Sequence, residues 1–339
     1  MAENASDTTT NTGPAPAGNA PPGPATAGSD VQNTTVSSDA RSAPALAPAV
    51  FVEDATGEDF SVVEDVPGFQ PQRAFEEWTD DISVPEEWDQ WPHLYDGGES
   101  GRFMISEISY RGSDADDRVQ VGDIASPPWR WLCQLVITRS SGTKVLCTGW
   151  LAAPHIVITC GGAVFDHATG WAREVEVFPG LNGARRAKPS VTSHLFKSVQ
   201  GWTEGQQAAQ DYGCIVLPDD RLQGLGHFGL VSYPGPGLLR QLANNAGYPG
   251  DRPRGTQWFN AWRIIRTTDR MLFDRGDGCS GHCGSPVWLH AIRNGKPGRY
   301  ACGLYGSRSA DGPLRFTADI LQKIDEWMKA PRTNGAGTQ

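Results

Sequence analysis

Between about residues 128 and 316 the apolar positions fall in short runs. WRWLCQLVIT at 129–138, TKVLCTGWL at 143–151, HIVITC at 155–160 and VEVFPG at 175–180 open the series. DYGCIVL at 211–217, WFNAWRIIRT at 258–267, SPVWLHA at 285–291 and YACGLYG at 300–306 complete it. The runs are rich in β-branched and aromatic residues, and Gly, Pro, Asn and Asp separate them. Many short strands with close turn signals predict an all-β barrel or sandwich. The pattern then changes period. Ile320, Leu321, Ile324, Trp327 and Met328 share one face at helical spacing. Thr317 stands where an N-cap belongs, Pro331 follows the helix, and residues 332–339 are expected to fray.

Upstream the pattern fades. Residues 1–49 are Ala, Pro, Thr, Ser, Gly and Asn with few large apolar side chains, so disorder is expected there. Residues 50–110 interleave aromatics with carboxylates, as in FEEWTDD at 75–81 and PEEWDQW at 85–91. That texture fits a segment that docks in a groove, and equally a decorated linker. Charge sharpens the division. Residues 1–110 hold 20 acidic and 3 basic side chains, a net −17; residues 111–339 hold 19 acidic and 26 basic, a net +7. The acidity argues against nucleic acid, whose phosphates demand a basic footprint. No run approaches ~18 apolar residues, so no membrane partner is expected. The start has neither a basic end nor an apolar core, which favours an intracellular protein unless the true start lies elsewhere. Seven cysteines cannot all pair. Their spacing does not resemble a zinc site, and free buried thiols, with no metal and no cofactor, are expected.

Candidate chemistry centres on Gly281-His282-Cys283-Gly284-Ser285-Pro286-Val287-Trp288. A tight turn with Gly on both sides of a nucleophile lets two backbone N–H groups converge on one point, the requirement for an oxyanion hole. An ordinary turn into a strand also carries Gly and Pro. The octapeptide alone therefore leaves both readings open.

Residues 128–329 as a whole resemble the glutamyl endopeptidases, a branch of the trypsin-fold serine proteases. CTGWL at 147–151 resembles the family's C-T-G-x-L strand, and VITCGGAVFD at 157–166 lies where the family has V-x-T-A-G-H-C-V-x-D. VFPGLNG at 177–183, GW at 201–202, DYGCIVL at 211–217, GYPGD at 247–251 and GHCGSPVW at 281–288 follow in the family's order. DADDRVQV at 114–121 is similar to the segment near the family's mature start. The resemblance implies an all-β, chymotrypsin-like fold of two six-stranded antiparallel barrels, at about 128–220 and 225–316, with a C-terminal helix. The protease-homology domain would span 111–331.

The resemblance also implies a site and where it departs from its pattern. Acyl transfer by this fold needs a nucleophile, an imidazole base and a carboxylate that orients the imidazole. Asp211 occupies the carboxylate position, and Cys283 stands where the family has Ser. Thiolates are competent nucleophiles when their pKa is lowered. Gly281 and Cys283 would supply the oxyanion-hole amides. Gly162 stands at the histidine position and can move no proton. His155, His167, His282 and His290 are each expected to sit too far away or point elsewhere. Without its imidazole, Asp211 is expected to be hydrated or partly protonated, and Asp211→Asn to be tolerated or mildly stabilising. The family's glutamate-binding Thr and His become Gly278 and Tyr305. A register with Ser280 as nucleophile fails because the S-P-V-W continuation belongs to Cys283. Cys147 resembles half of a family disulfide whose other half is Ala163 here; a Cys147–Cys160 bridge and a Cys160–Cys283 pair stay open beside free thiols. The reading is a protease homologue that no longer cleaves peptides and acts as a binding or regulatory module, with a protein or peptide ligand in the cleft, its own acidic arm included. An active endopeptidase using Cys283 and a thiol or redox role are the alternatives.

Overall fold

The computed structural model describes residues 32–38, 60–62, 118–273, 283–293, 296–307 and 312–331. Gly278, Gly281 and His282 lie outside the described residues, as does most of the segment before residue 118.

Two curled sheets carry the molecule, each of eight strands among the described residues. In the first, Leu132–Thr138 pairs antiparallel with Lys144–Ala153 through a short turn in which the Gly142 amide bonds to the Arg139 carbonyl at 2.9 Å. Ile156–Thr159 follows and pairs with Gly213–Val216, which pairs with Leu195–Val199. All seven residues of Leu132–Thr138 are buried, as expected of a strand enclosed on both faces. The short strands Val191–Ser193 and Leu195–Val199 form one run interrupted at His194, and each half pairs with a different neighbour. The second sheet is built on Leu242–Gly247, Trp258–Arg263, Pro286–Arg293 and Lys296–Leu304.

Three features differ from the sequence expectation. First, residues 32–38 fall inside the segment expected to be disordered, yet Thr35–Ser37 is an edge strand on Leu195–Val199. Second, Val119–Gln120 directly precedes the first sheet's Leu132–Thr138 strand in the chain but joins the second sheet, opposite Trp258 and Phe259. Phe60–Val62 joins that sheet too, along Ala291–Arg293. Strands from before residue 128 thus supply one of the first sheet's eight strands and two of the second's. Third, Thr317 holds the N-cap position of the terminal helix Ala318–Lys329 without a side-chain cap. Its hydroxyl donates to the Asp319 carboxylate and accepts from Arg270 instead. The helix buries Ile320, Leu321, Ile324 and Trp327, the face the periodicity predicts.

The larger of two apolar clusters runs across both sheets, and a smaller one lies on the second sheet's side, around Leu238, Ile264 and Leu289. Trp150, Phe228 and Trp288 form a chain of ring contacts with centroids 5.6 and 5.3 Å apart, joining a first-sheet strand to the strand after Cys283. Each aromatic pair of this kind adds about 0.5–1.5 kcal/mol beyond area burial. The topology also sets the site. Gly213 pairs with Thr159. The residue two before Gly213 and the short helix just after Thr159 therefore emerge at the same end of the sheet.

Candidate active site

Asp211 and Gly162 meet at that end. Gly161–Val164 forms one helical turn directly after the Ile156–Thr159 strand. The Gly162 amide donates to Asp211 Oδ1 at 3.0 Å. The other carboxylate oxygen accepts from the Ser307 hydroxyl at 2.7 Å and from the Ser307 amide. Asp211 is 1% exposed. Burial pushes its carboxyl up to about 7, helped by the nearby Cys160, while the bonds from Ser307 and Gly162 pull the other way. Ser307 also fills the space beside residue 162. A Cβ added to Gly162 would lie 2.3 Å from Ser307 Oγ and 2.5 Å from Ser307 Cβ.

Arg139 braces the same turn. Its guanidinium is buried and donates to the Gly162 carbonyl at 2.8 Å and to the Ala163 carbonyl at 3.3 Å. These are carbonyls the short helix leaves without internal partners.

Cys283 sits across from this turn at the start of Pro286–Arg293. Its carbonyl accepts from the Thr148 amide at 3.1 Å, tying the loop to the first sheet. Gly284 next to it has φ +83°, and a Cβ there would lie 2.1 Å from the Thr148 carbonyl oxygen. Only glycine satisfies both demands. The loop is also fixed to the strand Lys296–Leu304 and its continuation: the Gly284 amide bonds to the Tyr305 carbonyl at 2.7 Å, and the Tyr305 amide to the Ser285 carbonyl at 2.9 Å. Tyr305 is buried at 4% exposure.

The Cys283 sulfur is in a group. Cys160 Sγ is 2.9 Å from Cys283 Sγ, and Cys147 Sγ is 3.9 Å from Cys160 Sγ. All three lie within 4.8 Å of one another and all are buried. None is in a disulfide. Burial, with the neighbouring sulfurs, pushes the Cys160 and Cys283 thiols well above the ordinary range. Burial opposes ionisation of Cys147 as well, but hydrogen bonding with Cys160, Cys283 and Thr159 outweighs it and draws that thiol down. Three sulfurs this close share at most one negative charge without a cation between them.

No family model matches the chain. A glutamyl endopeptidase of Bacillus licheniformis is 31% identical over 220 residues, which cover 63% of this chain and 67% of that protein. The chain belongs to the glutamyl endopeptidase family. A Bacillus subtilis protein named extracellular metalloprotease is 28% identical over 213 residues, 62% of this chain and 68% of that one. Among solved structures, a Glu endopeptidase in complex with MPD superposes with a TM-score of 0.55 at 21% identity, covering 64% of this chain and 99% of that one. The trypsin-like fold expected from the sequence is therefore the fold of the chain.

Within this family member, the residues singled out by sequence come together in part. Asp211 touches Gly162, and Cys283 touches Cys160, two residues before Gly162. Two of the other histidines are engaged elsewhere. His155 Nε2 lies 3.1 Å from the Met328 carbonyl, and His167 packs on Trp202 at 4.6 Å. Sequence reasoning missed Ser307 and Arg139. Arg139 lies in a turn where a solvated cation is the ordinary expectation. Ser307 follows a recognised strand, but nothing local marks it as the partner of Asp211.

Proposed function

We propose that this chain is a glutamyl endopeptidase homologue that no longer hydrolyses peptides and works as a binding or regulatory module. The observation that carries this reading is the Ser307 side chain against Gly162, with both residues bonded to Asp211. The position that would hold a general base has no side chain, and a serine occupies the space beside it. The carboxylate that would orient an imidazole is spent on Ser307 and Gly162. Removal of one triad member leaves only about 10³–10⁴-fold acceleration over water.

The nucleophile position supports the same reading. A working cysteine nucleophile needs a lowered pKa and access. Cys283 is 3% exposed and its thiol is pushed up, not down. Module function is supported by the added strands: segments from before residue 104 already lie on both sheets, at Thr35–Ser37 and Phe60–Val62. The cleft ligand is a protein or peptide segment, with the acidic arm as the candidate on hand.

Iodoacetamide labelling at neutral pH followed by peptide mass spectrometry tests the reading. Slow labelling of Cys283, no faster than that of the buried Cys133 and Cys214, is expected. A Cys283 that labels far ahead of the other thiols would return the chain to the class of active cysteine nucleophiles.

A further inference from the structure

We infer that Cys147, Cys160 and Cys283 form a binding site for one thiophilic d¹⁰ metal ion, copper(I) or zinc(II). This goes beyond the loss of peptidase activity and does not depend on it. The three Sγ atoms lie within 4.8 Å of one another, on three separate segments brought together by the fold. Cys147 belongs to the strand Lys144–Ala153, Cys160 to the turn before Gly161, and Cys283 to the loop before Pro286. An ion about 2.3 Å from three coplanar sulfurs holds those sulfurs about 4 Å apart. The Cys147–Cys160 separation of 3.9 Å already has that value. Cys160 and Cys283, at 2.9 Å, need to part by about 1 Å to admit the ion, a small rotation of one side chain.

Donor chemistry agrees with geometry. Thiolate sulfur selects copper(I) and zinc over the hard cations. Thr159 Oγ1 lies 3.8 Å from Cys147 Sγ and is itself fixed by donation to the Thr148 carbonyl at 2.8 Å. Arg139 is buried and close enough for its charge to act on all three sulfurs. Three thiolates with zinc(II) carry −1, which that guanidinium balances; with copper(I) they carry −2. Copper(I) accepts three sulfurs alone, whereas zinc completes four-coordination with an oxygen. Cys283, at 3% exposure against 0% for the other two, is the least enclosed ligand and marks the side of entry.

The test uses the full-length chain, reduced and handled without oxygen. One sample is titrated with copper(I) held by a chelating competitor, another with zinc(II), and each is desalted and assayed for metal. X-ray absorption then counts sulfur neighbours in whichever sample keeps its ion. The expected result is one ion per chain with a three-sulfur shell near ~2.3 Å. Retention of copper alone identifies the trigonal site, and retention of zinc with one added oxygen the tetrahedral one. Cys147→Ser, Cys160→Ser and Cys283→Ser should each weaken retention by about tenfold or more, since even outer partners of metal ligands contribute that much. Cys133→Ala and Cys214→Ala should leave it unchanged. The absorption measurement needs no variant, so it decides the matter even where a serine disrupts folding. A reduced wild-type chain that keeps neither ion, an ion with only oxygen and nitrogen neighbours, or a Cys160–Cys283 disulfide that withstands thiol reductant would overturn the site.

Discussion

Among single residues, Gly162, Ser307 and Asp211 form one interlocked cluster. Gly162→His would drive a side chain into Ser307, whose atoms lie 2.3 and 2.5 Å from the new Cβ. Overpacking of this kind costs about 1–3 kcal/mol. Urea denaturation should therefore show Gly162→His destabilised by that amount, with Ser307→Gly in the same chain recovering most of it. Equal stability of Gly162→His and wild type would show that Ser307 does not hold this space.

Asp211→Asn addresses the same cluster. The resemblance implies tolerance, because Gly162 stands at the family's histidine position. In the structure two amides and a hydroxyl, all donors, face the carboxylate. An asparagine NH₂ facing one of them leaves a buried donor unpaired, a cost of about 1–3 kcal/mol. The pH dependence has a definite sign. The folded carboxyl titrates at about 7, above the unfolded value of about 3.9. Between those values the folded state holds a proton that the unfolded state has released, so stability falls as pH rises, by at most about 1.4 kcal/mol per pH unit. The stability contributed by the protonated carboxyl is fully present below pH ~4 and lost by the time pH passes ~7. Melting curves should show the wild-type advantage over Asp211→Asn shrinking across that window. A constant difference from pH 4 to 7.5 would mean that Asp211 does not titrate there.

At the scale of elements, the body's strands were legible because each run is short, apolar and bounded by turn residues. Leu132–Thr138, Ile156–Thr159 and Pro286–Arg293 lie where the runs put them. The buried face of Ala318–Lys329 was legible from its period for the same reason. Thr35–Ser37 was not. Its neighbours are small and polar, so no hydrophobic pattern marks it. It is held by ladder bonds to Leu195–Val199 and by side chains distant in sequence. Trp327 Nε1 donates to Thr35 Oγ1 at 2.9 Å, and Asn33 Nδ2 donates to the Asp319 carbonyl at 3.0 Å while its oxygen accepts from Tyr212. The cluster around Cys160 was half legible. Cys147–Cys160 and Cys160–Cys283 approaches could each be posed from the sequence, but the meeting of all three sulfurs at one point depends on three segments converging in space. Ser307 stayed hidden because its role exists only across a separation of 96 residues. A chain lacking residues 1–40 should lose the hydrogen bonds to Tyr212 and Trp327, and with them about 1–3 kcal/mol. Hydrogen exchange should then speed up selectively in Leu195–Val199 and the terminal helix. Unchanged protection in both would show that the Thr35–Ser37 strand contributes nothing to the body.

At the scale of the whole molecule, a segment of net −17 precedes a body of net +7. Phe60–Val62 already lies along the strand that follows the Cys283 loop. A peptide of residues 50–104 should bind the isolated body at low ionic strength and weaken as salt rises, because the screening length falls from ~10 Å at 0.1 M to ~3 Å at 1 M. Lack of binding even at low salt would leave the arm with no part in occupying the cleft.

The central claim is that this family member cannot hydrolyse peptides, and turnover measures it most directly. Chromogenic peptides ending in glutamate, and in other residues, should be offered to the full chain and to the chain beginning at residue 105, so that an occupied cleft cannot masquerade as lost chemistry. No turnover above the uncatalysed background is expected in either form. Turnover by either at ~1–10³ s⁻¹, the ordinary enzyme range, would contradict it.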